Sequence, residues 1–430
     1  MVVVSEDSYP FWTEAGWMLE NRLLLIAVIA AIAVGQARQG LALEDRRIGV
    51  LYVSDPIRSP AFTFMRAEPI FSLTFVAASL RGFGGWDLDD VHRAIRLYFP
   101  RMYQDLTSRF DVVVLDNANQ MAITPEQIEL LARGVREAGI GLLMTGGWES
   151  FGGTGTAQPS WGPTAIGALL PVQCVDGTWV ESGRLVIDEP EHEFVASIPW
   201  DRKGPFMQSF HHNLVTVREG GQLLAHTDRN RYQPGGDHPL FITWEVEGAR
   251  VFACTGEIVQ MASIFSYGGT NYDIWEYYGD FISNLMIYLD KRPVPQDVDL
   301  VHAVRSTAFQ SRTRVSLLLS LVEFVESFGA NGQGVMRSVD ELNGVVAQAD
   351  GAYLDLNFEE VLEIYRRIGT MLDDIEKQAL ELKDRTLLWV YLVEWLAVTG
   401  TALLAGFILW TTMVRRRFYK EMKVTRIAAL

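Results

Sequence analysis

Residues 110–147, FDVVVLDNANQMAITPEQIELLARGVREAGIGLLMTGG, determine the fold class of this chain. The stretch opens with the apolar run Phe110–Asn117 and closes with a second run, Gly141–Gly147, and each run predicts a buried strand. Between them lies a helix with clear end signals, because Thr124 suits the N-cap and Pro125 suits the first helical position. Near-continuous apolar strands separated by a capped helix predict a parallel α/β sheet covered on both faces.

The same strand pattern occurs upstream, in IGVLYVSD at Ile48–Asp55. The carboxyl ends of parallel strands carry the ligand site in sheets of this kind, so we expect a site just after these strands. The glycine-rich turn Gly146–Gly153 is either an anion cradle or a tight turn built around Trp148. The candidate ligand-binding residues are Asp55, Asp116, Gly146, Gly147, Glu149 and Ser150.

Downstream of Pro171 the pattern changes. Alternating runs joined by turns predict antiparallel strands, and Tyr272–Asp290 predicts an amphipathic helix that closes this unit. From His302 onward the sequence is helical, with segments predicted at 307–328 and 335–349 and a third that starts near Asn357. The predicted domains are an N-terminal membrane or interfacial helix at 1–43, an α/β domain at 44–300, a helical stalk at 301–386, a transmembrane helix at 387–414 and a basic tail at 415–430.

The third helical segment carries a heptad seam. Its apolar residues follow alternating spacings of four and three over three heptads, and they are Val361, Tyr365, Ile368, Leu372, Ile375, Ala379 and Leu382. One interpretation is that the seam packs on the two preceding helices. The other is that it binds a partner helix, in a homodimer or a larger complex.

The C-terminal region predicts a membrane span. Trp395–Val414 contains no charged residue, and the apolar stretch extends back to Leu387. About 20 apolar residues at 1.5 Å each cross a hydrocarbon core of about 30 Å. Basic residues follow from Arg415 to Arg426, which predicts by the positive-inside rule that this end is cytoplasmic.

Three residues of this span suggest contacts with other helices. Ala402 and Gly406 form a small-xxx-small pair that allows two helices to approach closely. Glu394 either extends to the interface or binds a polar partner within an assembly. The expected partners are therefore lipid and other membrane subunits, or a second copy of this chain.

A second apolar stretch lies near the N-terminus, at Leu23–Val34. We interpret it as a membrane or interfacial helix. A signal peptide cleaved after 35–37 is the alternative, although the four acidic residues before the apolar stretch argue against it. If both apolar segments span a plasma or inner membrane, the body of the chain lies outside the cytoplasm.

Composition excludes several classes of function. The chain has 430 residues, with 53 acidic and 37 basic ones, and a formal net charge of -16. Such a charge repels phosphate backbones, which argues against nucleic-acid binding. Two cysteines are too few for a disulfide framework or a structural zinc site.

The order of motifs resembles the class I glutamine amidotransferase-like superfamily. The resemblance rests on the stretch at 110–147, its continuation WESFGG, the WGPTAIGALLPV segment at 161–172, and PLFITWEVEGARVFACTGE at 239–257. More narrowly, the chain is similar to membrane-anchored amidotransferase-like proteins related to ThuA-type domains of trehalose utilisation. The resemblance covers about Ile48–Leu289 and implies a flavodoxin-like α/β sandwich.

The resemblance also implies a catalytic triad that this sequence lacks. Active members place a cysteine on a tight strand-to-helix turn, with a histidine and a glutamate supplied later. The corresponding turn, Thr145–Ser150, contains no cysteine, and Gly256–Gln260 contains no histidine. Cys174 and Cys254 lie in strand-like runs, where we expect buried and unreactive thiols.

Two other groups of residues offer alternative chemistry. Ser150 beside Glu149 is a candidate substitute nucleophile, although a turn serine that bonds the backbone is the simpler interpretation. The histidines His192, His211, His212 and His238 are candidate metal ligands, but they lack a recognised ligand spacing. We therefore predict no bound metal and no cofactor.

The sequence favours a non-catalytic membrane-anchored protein that binds or organises partners, as an accessory subunit of a membrane complex. One alternative is a hydrolase or amidotransferase with displaced catalytic residues. Another is a sensor that binds a carbohydrate or another small ligand.

Overall fold

The computed structural model describes residues 47–54, 60–78, 88–154, 159–179, 185–203, 212–228, 238–258, 263–265 and 272–427. The chain divides into two compact units. The first consists of Met1–Arg305 with Asp350–Glu359, and the second of Ser306–Ala349 with Glu360–Leu430. The apolar segment Leu23–Val34 and the candidate residue Asp55 lie outside the described residues.

Twelve strands are described in the first unit, and eight of them form a mixed sheet at its centre. The described strands are β1 (Ile48–Ser54), β2 (Phe71–Ala77), β3 (Val112–Asp116), β4 (Gly141–Thr145), β5 (Val172–Trp179), β6 (Leu185–Ile187), β7 (His212–Val217), β8 (Gln222–Thr227), β9 (His238–Val246), β10 (Ala249–Cys254), β11 (Ser263–Phe265) and β12 (Tyr272–Ile274). The strand order is β2-β1-β3-β4-β10-β9-β8-β6. The pairs from β2 to β10 are parallel, and the pairs from β10 to β6 are antiparallel. The predicted change from parallel to antiparallel strands is confirmed.

Helices cover this sheet. Those of the first unit are α1 (Pro60–Ala67), α2 (Leu88–Tyr98), α3 (Tyr103–Arg109), α4 (Pro125–Ala138), α5 (Glu193–Ala196) and α6 (Tyr278–Leu289). α4 has the predicted ends, because Thr124 and Gln127 exchange side-chain to backbone hydrogen bonds of 3.3 and 3.0 Å. Gly139 ends the helix with a left-handed φ of 69°. The apolar face of α4 packs into the core on the sheet.

The predicted helix over Tyr272–Asp290 is wrong at its start. Tyr272–Ile274 instead forms β12, which pairs antiparallel with β11. α6 begins at Tyr278 and runs to Leu289, and eleven of its twelve residues are buried. Strand pairing determines the structure of the first residues despite their helical pattern, since tertiary contacts override local preference.

Three long helices complete the chain: α7 (Val298–Glu326), α8 (Gln333–Leu354) and α9 (Phe358–Ile427). α7 starts earlier than the predicted 307. The helix end predicted at 349 is also wrong, because α8 continues through Asp350 and Gly351 to Leu354. A glycine inside a helix costs about 1 kcal/mol, which the burial of Ala349 and Tyr353 on the same helix can offset. The chain turns at Leu356 instead, where φ is 55°.

The heptad seam of α9 is buried within the second unit. Its first six positions, Val361 to Ala379, are at most 2% exposed, and Leu382 is half-buried. The seam therefore packs inside this unit, as the first of the two interpretations predicts. Of the helices that the structure describes, one is long and apolar enough to cross a membrane, and it is the part of α9 from Phe358 to Tyr419.

Candidate functional site at the carboxyl edge of the sheet

Asp116 lies at the centre of the carboxyl edge of the parallel strands. β1, β3 and β4 end side by side, so Ser54 and Thr145 are the register partners of Asp116. The hydroxyls of Tyr52 and Thr145 donate hydrogen bonds to its carboxylate, the latter at 2.5 Å. Burial raises the pKa of Asp116, the hydrogen bonds from Thr145 and Tyr52 oppose that shift, and the negative charge of Glu257 adds to it. The sequence predicted Asp116 as a site residue, and the structure places it in a buried pocket of hydroxyls.

The turn that follows β4 approaches two backbone segments closely. The Gly146 N–H donates to the carbonyl oxygens of Cys254 and Gly256, at 2.7 and 3.0 Å. A Cβ at Gly146 would lie 2.1 Å from the Thr255 carbonyl oxygen, and one at Gly147 would lie 2.1 Å from Oδ1 of Asn117. Neither position accepts a side chain. Gly146 therefore brings the turn against the residues that follow β10, and Gly147 brings it against the Asn117 side chain that follows β3.

Two asparagines hold the rest of this turn. Asn213 accepts a hydrogen bond from the Gly147 N–H at 2.9 Å and donates to the carbonyls of Gly147 and Ser150, at 3.0 and 3.1 Å. Oδ1 of Asn117 accepts from the Glu149 N–H at 2.9 Å. The backbone donors of Gly146, Gly147 and Glu149 are thus all occupied by protein acceptors. Sequence reasoning missed both asparagines.

The candidate residues Glu149 and Ser150 are buried, at 4% and 1% exposure. Asn119 donates to Oε1 of Glu149 at 3.0 Å. Within the described part of the chain, Oε2 of Glu149 and Oγ of Ser150 have no hydrogen-bond partner. The structure therefore brings Glu149 and Ser150 to the same turn but forms no hydrogen bond between them.

The aromatic residue that fills the turn is Trp161 rather than Trp148. The Trp148 side chain is 43% exposed, whereas Trp161 is fully buried. The indole N–H of Trp161 donates to the carbonyls of Ala118 and Glu149, at 3.0 and 3.2 Å. The expectation of a turn built around Trp148 is corrected accordingly, because an indole N–H can be buried only where carbonyl acceptors are available.

Neither cysteine is placed as a nucleophile. Cys254 ends β10, and burial raises its pKa to about 12. Cys174 lies on β5, where burial raises its pKa to about 11. Both thiols are therefore protonated at neutral pH. The expected burial is confirmed for Cys254, while Cys174 is half-buried.

The structure brings two of the candidate histidines together and places a third elsewhere. The rings of His212 and His238 lie 4.5 Å apart, and His212 forms a backbone bridge to Gly256, next to the turn. His192 instead packs on Tyr288, 5.2 Å between centroids, and burial lowers its pKa. His211 lies outside the described residues. The described residues contain no group of three or more His, Cys, Asp or Glu suited to hold a metal ion.

The candidate membrane contacts lie on the other unit. Glu394, Ala402 and Gly406 are all exposed on α9. A Cβ at Gly406 would meet no atom within 4 Å. These positions are open to lipid or to another helix.

Comparisons with known proteins give similar solved structures and one matching family model. The chain is similar to the cytoplasmic protein STM1381 of Salmonella typhimurium LT2, at 17% identity over 56% of this chain and 98% of that one, with a TM-score of 0.41. It is also similar to the cytoplasmic protein STM3548 of Salmonella typhimurium, at 16% identity over 56% and 99%, with a TM-score of 0.42. Agd3, a carbohydrate deacetylase, matches at 10% identity over 49% and 30%, with a TM-score of 0.33. No curated protein matches the chain. Residues 96–291, which contain Asp116 and the glycine turn, match the family model described as "Putative glutamine amidotransferase".

Proposed function

We propose that this chain is a non-catalytic, membrane-anchored protein whose amidotransferase-like domain binds or organises partners within a membrane complex. One observation carries the proposal: the turn where the family places its nucleophile has no cysteine, and the N–H groups of Gly146, Gly147 and Glu149 in it donate to protein acceptors. The absent cysteine alone removes the thiolate. Because the N–H groups of Gly147 and Glu149 already donate to protein acceptors, they are not free to stabilise an oxyanion.

Acyl transfer from glutamine requires both parts. A thiolate attacks the amide carbonyl, and free backbone N–H groups stabilise the negative charge that develops on its oxygen. Here Asn213 occupies the Gly147 N–H and Asn117 occupies the Glu149 N–H. A substrate carbonyl would have to displace these side-chain oxygens. The protonated thiols of Cys174 and Cys254 offer no replacement nucleophile.

The strand order supports a flavodoxin-like domain. The parallel half of the sheet runs β2-β1-β3-β4-β10, which is the order 2-1-3-4-5 of that fold when β10 is counted as the fifth parallel strand. Asp116 and the glycine turn lie at the carboxyl ends of its middle strands. In the described part of this edge, Asp116 and the N–H groups of Gly147 and Glu149 are hydrogen-bonded to the protein's own side chains.

The exposed apolar part of α9 supports anchoring, and the basic residues that follow it support the proposed orientation. Leu403, Phe407 and Trp410 are between 61% and 75% exposed. Arg415, Arg416 and Arg417 follow the apolar stretch and are exposed. Basic residues beside a span favour the cytoplasmic side, so the α/β domain would lie outside the cytoplasm. Ala402 and Gly406 offer a close-approach surface to a second membrane helix.

A ligand-binding role is the second candidate, and one observation favours it. Oε2 of Glu149 and Oγ of Ser150 are buried and have no partner among the described residues. Buried polar atoms are normally paired. A small polar ligand or an ordered water at this turn would satisfy both atoms.

Two measurements on the full chain, purified in mild detergent, test the leading proposal. Glutamine-dependent ammonia release should equal that of a variant carrying Cys174→Ala and Cys254→Ala, and membrane subunits should co-purify. Ammonia release that disappears in the double variant would contradict the non-catalytic proposal. A monodisperse monomer without partners would contradict the scaffold role.

A further inference from the structure

α7 and α8 form a helical hairpin, and an uncharged, partly aromatic tip joins them. Residues 327–336, SFGANGQGVM, are here called the hairpin tip, and they contain no charged residue. Phe328 in the tip and Phe324 just before it are 48% and 49% exposed. Their rings touch edge to face, with centroids 5.1 Å apart. Such a glycine-rich and aromatic tip is unusual on a chain in which 21% of residues are charged.

Contacts between α7 and α9 give the position of the tip along α9. Nε of Arg314 lies 2.7 Å from Oε1 of Glu376, and its Nη2 lies 2.6 Å from Oδ1 of Asp373. Short connections make α7 antiparallel to α8 and α8 antiparallel to α9, so α7 and α9 run the same way. α7 continues twelve residues beyond Arg314 to its end at Glu326, a rise of about 18 Å. The same rise along α9 leads to residues 385–388.

A contact between α8 and α9 gives the same position independently. Oγ of Ser338 lies 3.4 Å from Oε1 of Gln378. α8 begins at Gln333, five residues before Ser338. Because α8 and α9 are antiparallel, the start of α8 lies level with about residue 383 of α9. Both contacts therefore place the tip beside residues 383–388, where the charged part of α9 gives way to its apolar part.

The neighbouring surface of α9 has the character of a membrane interface. Trp389, Tyr391 and Trp395 follow this level and are 65% to 67% exposed. Tryptophan and tyrosine favour the headgroup level of a bilayer, where one end of the ring is apolar and the other is hydrated. Phe324 and Phe328 thus lie at the same height as the edge of the proposed span.

We propose that the hairpin tip inserts into the boundary between lipid headgroups and acyl chains, next to the α9 span. The inference rests on the proposed membrane anchoring and adds a second contact with the lipid surface. The tip would hold α7, α8 and α9 at a fixed height on the bilayer. Glu326 does not oppose insertion strongly, because its Oε1 accepts a hydrogen bond from the Gly332 N–H at 3.2 Å within the turn.

Depth-dependent fluorescence quenching tests this contact. The full chain is reconstituted in phosphatidylcholine vesicles with an environment-sensitive fluorophore on Phe328→Cys, Phe309→Cys or Leu403→Cys. Phe309 is the matched control, since it is an exposed phenylalanine of α7 on the far side of Arg314 from the tip. Leu403 lies within the apolar stretch of α9 and reports anchoring. The unsubstituted chain gives the labelling background from Cys174 and Cys254.

We expect a blue-shifted emission and a loss of fluorescence at 328 with a nitroxide placed high on the acyl chain, and neither at 309. At 403 we expect the larger loss with a deep nitroxide. Quenching at 403 without quenching at 328 would overturn the tip contact alone and would favour a protein partner for the tip. Equal quenching at 309 and 328 would also overturn it. No quenching at 403 would overturn the anchoring on which both proposals rest.

Discussion

Arg305 and Asp280 form a buried ion pair at the start of α7, with Nη1 of Arg305 2.9 Å from Oδ1 of Asp280. Nε of Arg305 lies 3.3 Å from Oε1 of Glu68 and donates to the Tyr353 hydroxyl at 3.0 Å. The Tyr353 hydroxyl in turn donates to Oε2 of Glu68 at 2.6 Å. Burial raises the pKa of Tyr353 well above its usual value, so this hydroxyl keeps its proton. One guanidinium therefore pairs with two carboxylates, and His302 also contacts Asp280, with Nδ1 2.7 Å from Oδ2.

Replacing Arg305 should destabilise the α/β unit strongly. In Arg305→Met both Asp280 and Glu68 would lose the guanidinium, while Asp280 would retain its contact with His302. Removing one partner of a buried pair costs about 3–5 kcal/mol. Urea unfolding followed by tryptophan fluorescence measures the loss.

The matched control is Arg93→Met, because Arg93 pairs with Asp90 on the surface of α2, with side chains 67% and 50% exposed. An exposed pair contributes about 0–1 kcal/mol. Equal losses for Arg305→Met and Arg93→Met would show that the buried network does not stabilise the unit.

Local signals in the sequence predicted one part of the site well. Thr124, Pro125 and Gly139 determine the ends of α4 through contacts with residues a few positions away, so the pattern alone was sufficient. Asp116 was found because it directly follows an apolar run. In both cases the interaction that matters is local or follows from strand direction.

The parts that sequence reasoning missed depend on distant contacts. Asn213 lies 66 residues from Gly147, and its role depends on the packing of β7 beside the turn. The choice between Trp148 and Trp161 likewise depends on which indole finds buried carbonyls, and spacing gives no sign of it. The fold class could therefore be predicted, whereas the hydrogen bonds that occupy the N–H groups of the glycine turn could not.

Asn213→Ala should loosen the glycine turn. The substitution removes the acceptor of the Gly147 N–H and the donor to two carbonyls, all of them buried. A buried backbone group left unpaired costs about 1–3 kcal/mol, so a loss within or above that range is expected. Hydrogen exchange at Gly147 should rise together with the loss of stability in urea.

Asn331→Ala is the control for this change. Asn331 also accepts a hydrogen bond from a backbone N–H, that of Gln333 at 3.0 Å, but it does so in an exposed turn. Surface substitutions of this kind change stability by about 0.5 kcal/mol or less. An Asn213→Ala chain as stable as Asn331→Ala would contradict the assigned role of Asn213.

Asp116→Asn should change the pH dependence of stability. Because the folded pKa of Asp116 is raised, the folded state retains the proton at pH values where the unfolded chain has lost it. The contribution of Asp116 is thus most favourable below its unfolded pKa and is lost as the pH rises through its folded pKa. The free energy of unfolding of the variant, relative to the natural chain, should therefore increase as the pH rises above the unfolded pKa of Asp116.

Asp89→Asn, on the exposed surface of α2, provides the reference for the same substitution outside the buried edge. A natural chain that gains stability relative to Asp116→Asn as the pH rises would mean that hydrogen bonds to the carboxylate outweigh burial. The pKa of Asp116 would then be lowered in the folded state rather than raised.

Both thiols should resist alkylation in the folded chain at pH 7. Thiolate content falls tenfold for each unit by which the pKa exceeds the pH, so a pKa of about 11 for Cys174 and about 12 for Cys254 leaves very little thiolate. Relative to an ordinary thiol of pKa near 9, labelling of Cys174 should be slower by about 100-fold and that of Cys254 by more. Mass spectrometry of peptides after timed iodoacetamide treatment measures both rates, and the urea-unfolded chain should label equally at the two positions.

Rapid labelling of Cys254 in the folded chain would reveal a thiolate at the end of β10, beside the Gly146 turn. Thiol chemistry at this edge would then have to be reconsidered.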